Sequence, residues 1–111
     1  MEKRKKLCLD SLEYIPCSRC LVPLVPVSWV REQAKRNLHE KKYGVSIHYF
    51  VCENCKTKLA LIIMADQKGW GFLEAPAEIG KQLYSRVVTM RAQGISVERI
   101  NHILFTPQYI S

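Results

Sequence analysis

Val45-Ser-Ile-His-Tyr-Phe-Val-Cys-Glu-Asn-Cys-Lys-Thr-Lys-Leu-Ala-Leu-Ile-Ile-Met-Ala65 is the stretch on which the fold turns. Its first seven residues, Val45 to Val51, are β-branched and aromatic with enough alternation to make a strand that ends at Cys52. Cys52 and Cys55 then stand two residues apart, a spacing that suits a tight turn. Residues 56–65 are rich in Leu and Ala, which favours a helix begun at the second cysteine. The unbroken Leu-Ala-Leu-Ile-Ile-Met run also fits a buried strand, because periodicity cannot separate the two in a short apolar segment. Under that alternative, Asp66 to Gly69 is a turn and Trp70 to Leu73 a returning strand. The helix is the reading expected.

Upstream, Cys17 and Cys20 repeat the Cys-x-x-Cys spacing. Two such pairs supply four soft thiolates, the ligand set of a closed tetrahedral Zn²⁺ site with Zn–S bonds of about 2.3 Å. A catalytic zinc keeps one position open for water, so four cysteines (Cys17, Cys20, Cys52 and Cys55) point to one structural ion. Disulfides and redox chemistry are the alternatives. The flanking residues lack a Trp-Cys-Gly-Pro-Cys type redox signature. No apolar h-region precedes Asp10, so no secretory signal is expected, and a reducing, cytoplasmic setting disfavours disulfides. Cys8 is the odd cysteine, read as a free or buried thiol outside the ligand set.

At 111 residues and 48 % hydrophobic content the chain reads as a single globular unit. The 31 residues between Cys20 and Cys52 are the span that a metal clamp would close, and a core this small gains from such a clamp. No uncharged stretch approaches the roughly 20 residues needed to span a bilayer, so no membrane association is expected. The formal charge of +7, from 17 Lys and Arg against 10 Asp and Glu, suits a protein that meets phosphates or an acidic protein surface.

Residues 1–15 read as a basic arm carrying Lys3, Arg4, Lys5 and Lys6. Pro16, Pro23 and Pro26 keep the following segment extended. Ser28 offers an N-cap for a helix from Trp29 to about Lys42, ended by Gly44. Val30, Ala34 and Leu38 form its apolar stripe. Arg31, Lys35, His39 and Lys42 share an adjoining face within about 80° at 100° per residue. This ridge, with Lys56 and Lys58 beside the second cysteine pair, is the candidate surface for nucleic acid or an acidic partner. Gly69-Trp70-Gly71-Phe72 closes the core, with an aromatic plane for stacking as the alternative.

The last third is helical. Pro76 starts a helix of about 17 residues with the stripe Ile79, Leu83, Val87 and Met90, and Gly94 stops it. Ser96 caps a second helix, with Val97, Ile100, Ile103 and Leu104 on its apolar side and Pro107 at its end. No acid/base pair, activated nucleophile or Gly-rich phosphate loop stands out, and His39, His48 and His102 keep no fixed spacing to a carboxylate, so no enzyme activity is expected.

The paired cysteines resemble the knuckles of treble-clef and zinc-ribbon proteins. Tyr49 to Leu59 resembles the second knuckle of Gin-type anti-sigma zinc proteins, which implies a protein partner such as a sigma factor or RNA polymerase. Arg91 to Leu104 resembles the first two helices of helix-turn-helix units in recombinases and repressors. Only Phe-Thr-Pro-Gln-Tyr-Ile-Ser follows Leu104, so the hairpin is expected to serve packing or pairing of two copies.

The expectation is therefore an α+β fold: a small zinc-stabilised domain, treble-clef or zinc-ribbon-like, with a C-terminal αα-hairpin. Residues 1–15 form the arm, 16–75 the zinc-binding domain and 76–111 the hairpin packed on it. The expected role is a regulator or adaptor, bacterial or phage, that binds a protein complex of transcription or defence. A zinc-stabilised DNA- or RNA-binding module is the alternative.

Overall fold

The structure is a computed structural model and describes residues 13–110. Two small antiparallel sheets and three helices follow one another along the chain. β1 (Tyr14–Pro16) pairs with β2 (Pro23–Pro26) in a short ribbon, which leads into α1 (Val27–Glu40). β3 (Val45–Val51), β4 (Lys58–Asp66) and β5 (Gly69–Pro76) form a meander in the order β3-β4-β5. α2 (Ala77–Ala92) and α3 (Val97–Ile110) complete the chain. The fold is α+β, and the two Cys-x-x-Cys turns lie between β1 and β2 and between β3 and β4, as in the zinc-ribbon alternative.

Residues 58–66 are a strand and not the expected helix. β4 is the middle strand, and both of its faces are covered. Leu61, Ile63 and Ala65 enter one core with Val30 and Ala34 of α1, Ile15 and Val25 of the ribbon, and the rings of Phe50, Trp70 and Phe72. Ile62 and Met64 enter the other core with Val45, Leu73, Val87, Val97 and Ile100. A strand buried on both sides shows no polar alternation, which is why its run of apolar residues mimics a helix. The register from Val45↔Met64 to Val51↔Lys58 is unbroken.

β1 also takes up Tyr14 and Ile15, which the expected arm included, and Ile15 is buried. Lys3, Arg4, Lys5, Lys6 and Cys8 lie outside the described residues.

α1 begins two residues before Trp29, with Pro26 in the cap position at φ −65° and no side-chain cap bond, so Ser28 does not cap it. Its buried face is Val27, Val30, Ala34 and Asn37, whereas Leu38 is exposed. A polar residue points inward because it has partners there. The Asn37 amide donates to Ser46 Oγ at 2.8 Å and to the Ile63 carbonyl at 3.0 Å. Ser46 Oγ in turn lies 2.8 Å from His48 Nε2. Such a satisfied network avoids the cost of about 1–3 kcal/mol carried by an unpaired buried polar group. Gly44 then turns the chain at φ +71° against the Ala65 carbonyl, where a Cβ would collide.

α2 and α3 lie on the opposite face of the sheet. Gly80 lets α2 approach β4, since a Cβ there would come within 2.5 Å of the Ala60 Cβ. Gly80 and Val87 are the buried residues of α2, Leu83 and Met90 of the expected stripe pack half-buried beside them with Tyr84 and Val88, and Ile79 is left in solvent. Ser96 caps α3 as expected, its Oγ accepting the Arg99 N–H at 3.1 Å. Asp66 joins the β4–β5 turn to this helix by accepting the N–H groups of Lys68, Gly69 and Val97 at 2.9, 3.0 and 2.9 Å. α3 continues through Pro107 to Ile110. Proline's φ near −65° is helical, so near a helix end it removes one hydrogen bond without forcing a stop.

Candidate metal centre

Each cysteine pair is presented by the same backbone device. In the first knuckle the Cys17 N–H donates to the Val22 carbonyl at 2.8 Å, and the Leu21 N–H donates back to the Cys17 carbonyl at 2.8 Å. In the second, the Cys52 N–H donates to the Thr57 carbonyl at 2.9 Å and the Lys56 N–H to the Cys52 carbonyl at 2.7 Å. Both turns place the residue after the second cysteine in the left-handed region, Leu21 at φ +67° and Lys56 at φ +63°. That conformation costs a residue with a Cβ about 1 kcal/mol or more.

β1 to β2 and β3 to β4 then carry the two turns against each other. The four Sγ atoms lie within 4.8 Å of one another. Cys20 Sγ is 3.5 Å from Cys52 Sγ, and Cys17 Sγ is 3.8 Å from Cys55 Sγ, so both of these contacts cross between knuckles. A tetrahedral zinc with Zn–S bonds of about 2.3 Å holds its sulfurs about 3.8 Å apart. The donor set and its spacing thus fit one zinc ion, and the four cysteines could coordinate it.

The surroundings suit thiolates. Cys17 and Cys52 are fully buried, with Leu59 beneath and Val22 and Leu24 packed alongside, while Cys20 and Cys55 are half-buried. The Arg19 N–H points at Cys17 Sγ from 3.4 Å. The Cys55 thiol is drawn down to about 6, first by the Thr57 hydroxyl 3.1 Å away and then by the Thr57 backbone N–H. Cys20 is lowered as well, first by the Asn54 side chain and then by the Val22 N–H. Cys52 is pulled down by the Cys55 N–H, but burial and the neighbouring thiols of Cys20 and Cys55 outweigh it and push the thiol up to about 11. A cation at the centre would replace these thiol protons, since only thiolates ligate zinc.

Sequence reasoning found the four cysteines and missed their supports. Thr57 and Asn54 act on the sulfurs from within knuckle 2. Glu74 of β5 accepts the Ser18 N–H at 3.1 Å and ties knuckle 1 to the main sheet. The signal for Thr57 was present, since it stands two residues after a ligand where its hydroxyl can reach back. Glu74 carried none, because only the sheet brings it to residue 18.

The basic candidates are exposed but dispersed. Arg31 and Lys35 share the solvent face of α1, with the Arg31 guanidinium 5.9 Å from the Trp70 ring centroid. Lys42 lies past the end of α1, two residues before Gly44, whose carbonyl accepts the Ala65 N–H. Lys56 belongs to knuckle 2, and Lys58 opens β4 opposite Val51. The seven residue-to-residue steps from Lys58 to Ala65, at about 3.3 Å each, put Lys42 roughly 23 Å from the metal end of the sheet. No helix among the described residues is long and apolar enough to cross a membrane.

Set against known protein families, curated proteins and solved structures, the chain matches none of them.

Proposed function

We propose that the chain is a small zinc-stabilised adaptor that acts by binding a protein, with the ion as a structural clamp. Four thiolates fill a tetrahedral shell and leave no position for water or substrate, which supports a role without catalysis at the metal. Leu21 carries the binding reading. It is 72 % exposed, the most open of the large apolar side chains in the described residues, and it closes knuckle 1 just after Cys20 in a left-handed conformation. An apolar side chain held under backbone strain without burial suits a contact made outside the chain. Tyr14 stands exposed on the same ribbon. The partner class favoured is a transcription or defence complex of bacterial or phage origin.

The test is affinity capture with immobilised zinc-loaded protein beside its Leu21→Gly variant. Glycine relieves the strained φ, so the variant is expected to fold at least as well while losing a protein that the parent retains. Identical retention by both would refute the reading.

Arg31 and Lys35, side by side on α1, favour a second reading as a nucleic-acid-binding module. Its signature is duplex or single-strand binding that weakens steeply between about 50 and 200 mM salt. An absence of binding at low salt rejects it.

A further inference from the structure

β3 stands at an edge of the main sheet, and among the described residues its backbone pairs with β4 alone. Strand edges exposed in this way are normally guarded by a charge, a proline or a bulge. β5, the other edge, contains Glu74 and ends at Pro76. β3 has no such guard. Val-Ser-Ile-His-Tyr-Phe-Val holds no Lys, Arg, Asp, Glu or Pro, and its pairing with β4 contains no register shift. Apolar side chains lie exposed on it, with Tyr49 at 55 % and Val51 at 53 %. Ile79 of α2 adds a third at 46 %, and its neighbour Gly80 lies close to the Tyr49 ring.

We propose that this edge joins two copies of the chain, with β3 pairing antiparallel to β3 of a second copy about a two-fold axis at His48. The two meanders then form one continuous sheet. Centring on His48 pairs all seven residues, setting Val45 against Val51, Ser46 against Phe50 and Ile47 against Tyr49. A two-fold axis perpendicular to the sheet keeps the α2 faces of both copies on the same side, so the exposed Tyr49 of one copy covers the half-buried Ile47 of the other, and Val51 lines up beside Val45. Cross-strand apolar pairs of this kind contribute to sheet pairing.

Charge favours a second copy over a foreign strand. Lys41 and Lys42 precede β3 and Glu53 follows it, all three exposed. Antiparallel pairing in this register carries Lys41 and Lys42, in the turn before β3, towards Glu53, in the turn after β3 of the other copy. The strand therefore carries its own complement at both ends, and a closed isologous contact uses it twice. This inference is independent of the metal and of any outside partner.

The test is the mass of the full zinc-loaded chain by light scattering or native mass spectrometry over a concentration series. The expected result is a shift towards twice the chain mass of 12.9 kDa. Tyr49→Lys and Val51→Lys should each abolish the dimer while keeping the circular-dichroism spectrum. Lys42→Glu or Glu53→Lys alone should raise the dissociation constant about tenfold, and the double reversal should restore it, which keeps the test informative if an edge variant fails to fold. A monomer at every concentration overturns the proposal. So does a dimer indifferent to these substitutions, since it would be using another face.

Discussion

The two knuckles share one backbone conformation in unequal settings. Knuckle 1 closes a ribbon of a three-residue and a four-residue strand whose pairing slips between Ile15 and Pro16. Knuckle 2 closes strands of seven and nine residues that belong to the main sheet. A second contrast lies at the sulfurs. The residue two after the last cysteine is Thr57 in knuckle 2, with its hydroxyl on Cys55, but Val22 in knuckle 1, which has none. The turn conformation is therefore local to Cys-x-x-Cys and the residues after it, whereas the persistence of each turn depends on the strands that it joins.

The largest expected effect follows from that inequality. Chelating the metal, or making Cys17→Ser or Cys52→Ser, should cost several kcal/mol in denaturant melts. Hydrogen exchange of the chelated protein should show β1 and β2 losing protection ahead of β3 and β4. Equal loss in both regions would break the comparison, and an unchanged melting curve would remove the metal clamp altogether.

Next in size is the ligand support. Thr57→Val makes knuckle 2 resemble knuckle 1 and should weaken zinc affinity about tenfold in competition with a chelating dye. Val22→Thr should move affinity the other way. Indifference to both would mean that the hydroxyl does not tune the sulfur.

Relief of strain comes third. Leu21→Gly and Lys56→Gly should each raise stability by up to about 1 kcal/mol, because glycine adopts φ > 0 without the Cβ penalty. Destabilisation by Leu21→Gly would show that this side chain packs within the fold, against its proposed outward role.

The smallest effect distinguishes the sheet from the ribbon by pH. His48 on β3 is held below its ordinary 6.5 by burial, and secondarily by the Lys41 charge. The unfolded chain therefore binds this proton more readily than the native protein. The contribution of His48 is complete above about pH 6.5 and is lost as pH falls through the lower native value. His48→Gln should flatten the stability profile between about pH 7 and pH 5 relative to the parent. Acid release of zinc is common to both proteins, so the difference isolates the histidine. Parallel profiles would place His48 in a solvated setting.

Much of this architecture is legible in particular residues. The cysteine spacings announce the ligand set, Val45 to Val51 reads as a strand, and Pro76, Gly94 and Ser96 mark helix boundaries near where the structure has them. The failures share a cause. Residues 58–66 look helical because both sheet faces are covered. Asn37 replaces Leu38 on the inward face because Ser46 and the Ile63 carbonyl wait for it there. Ile79 stays outside because Gly80 is the residue that fits against Ala60. In each case the deciding partner is remote in the chain.

What the sequence determined by itself is short-range: thiol spacing, charge, turn chemistry and the positions where helices can start or stop. These depend on a few consecutive residues and their intrinsic conformational energies. Tertiary structure alone decided that an apolar run becomes a middle strand, that Glu74 holds knuckle 1, and that four sulfurs from opposite ends of a 31-residue interval meet within 4.8 Å. Burial on two faces and close approach are properties of packed layers, and no local window of residues contains them.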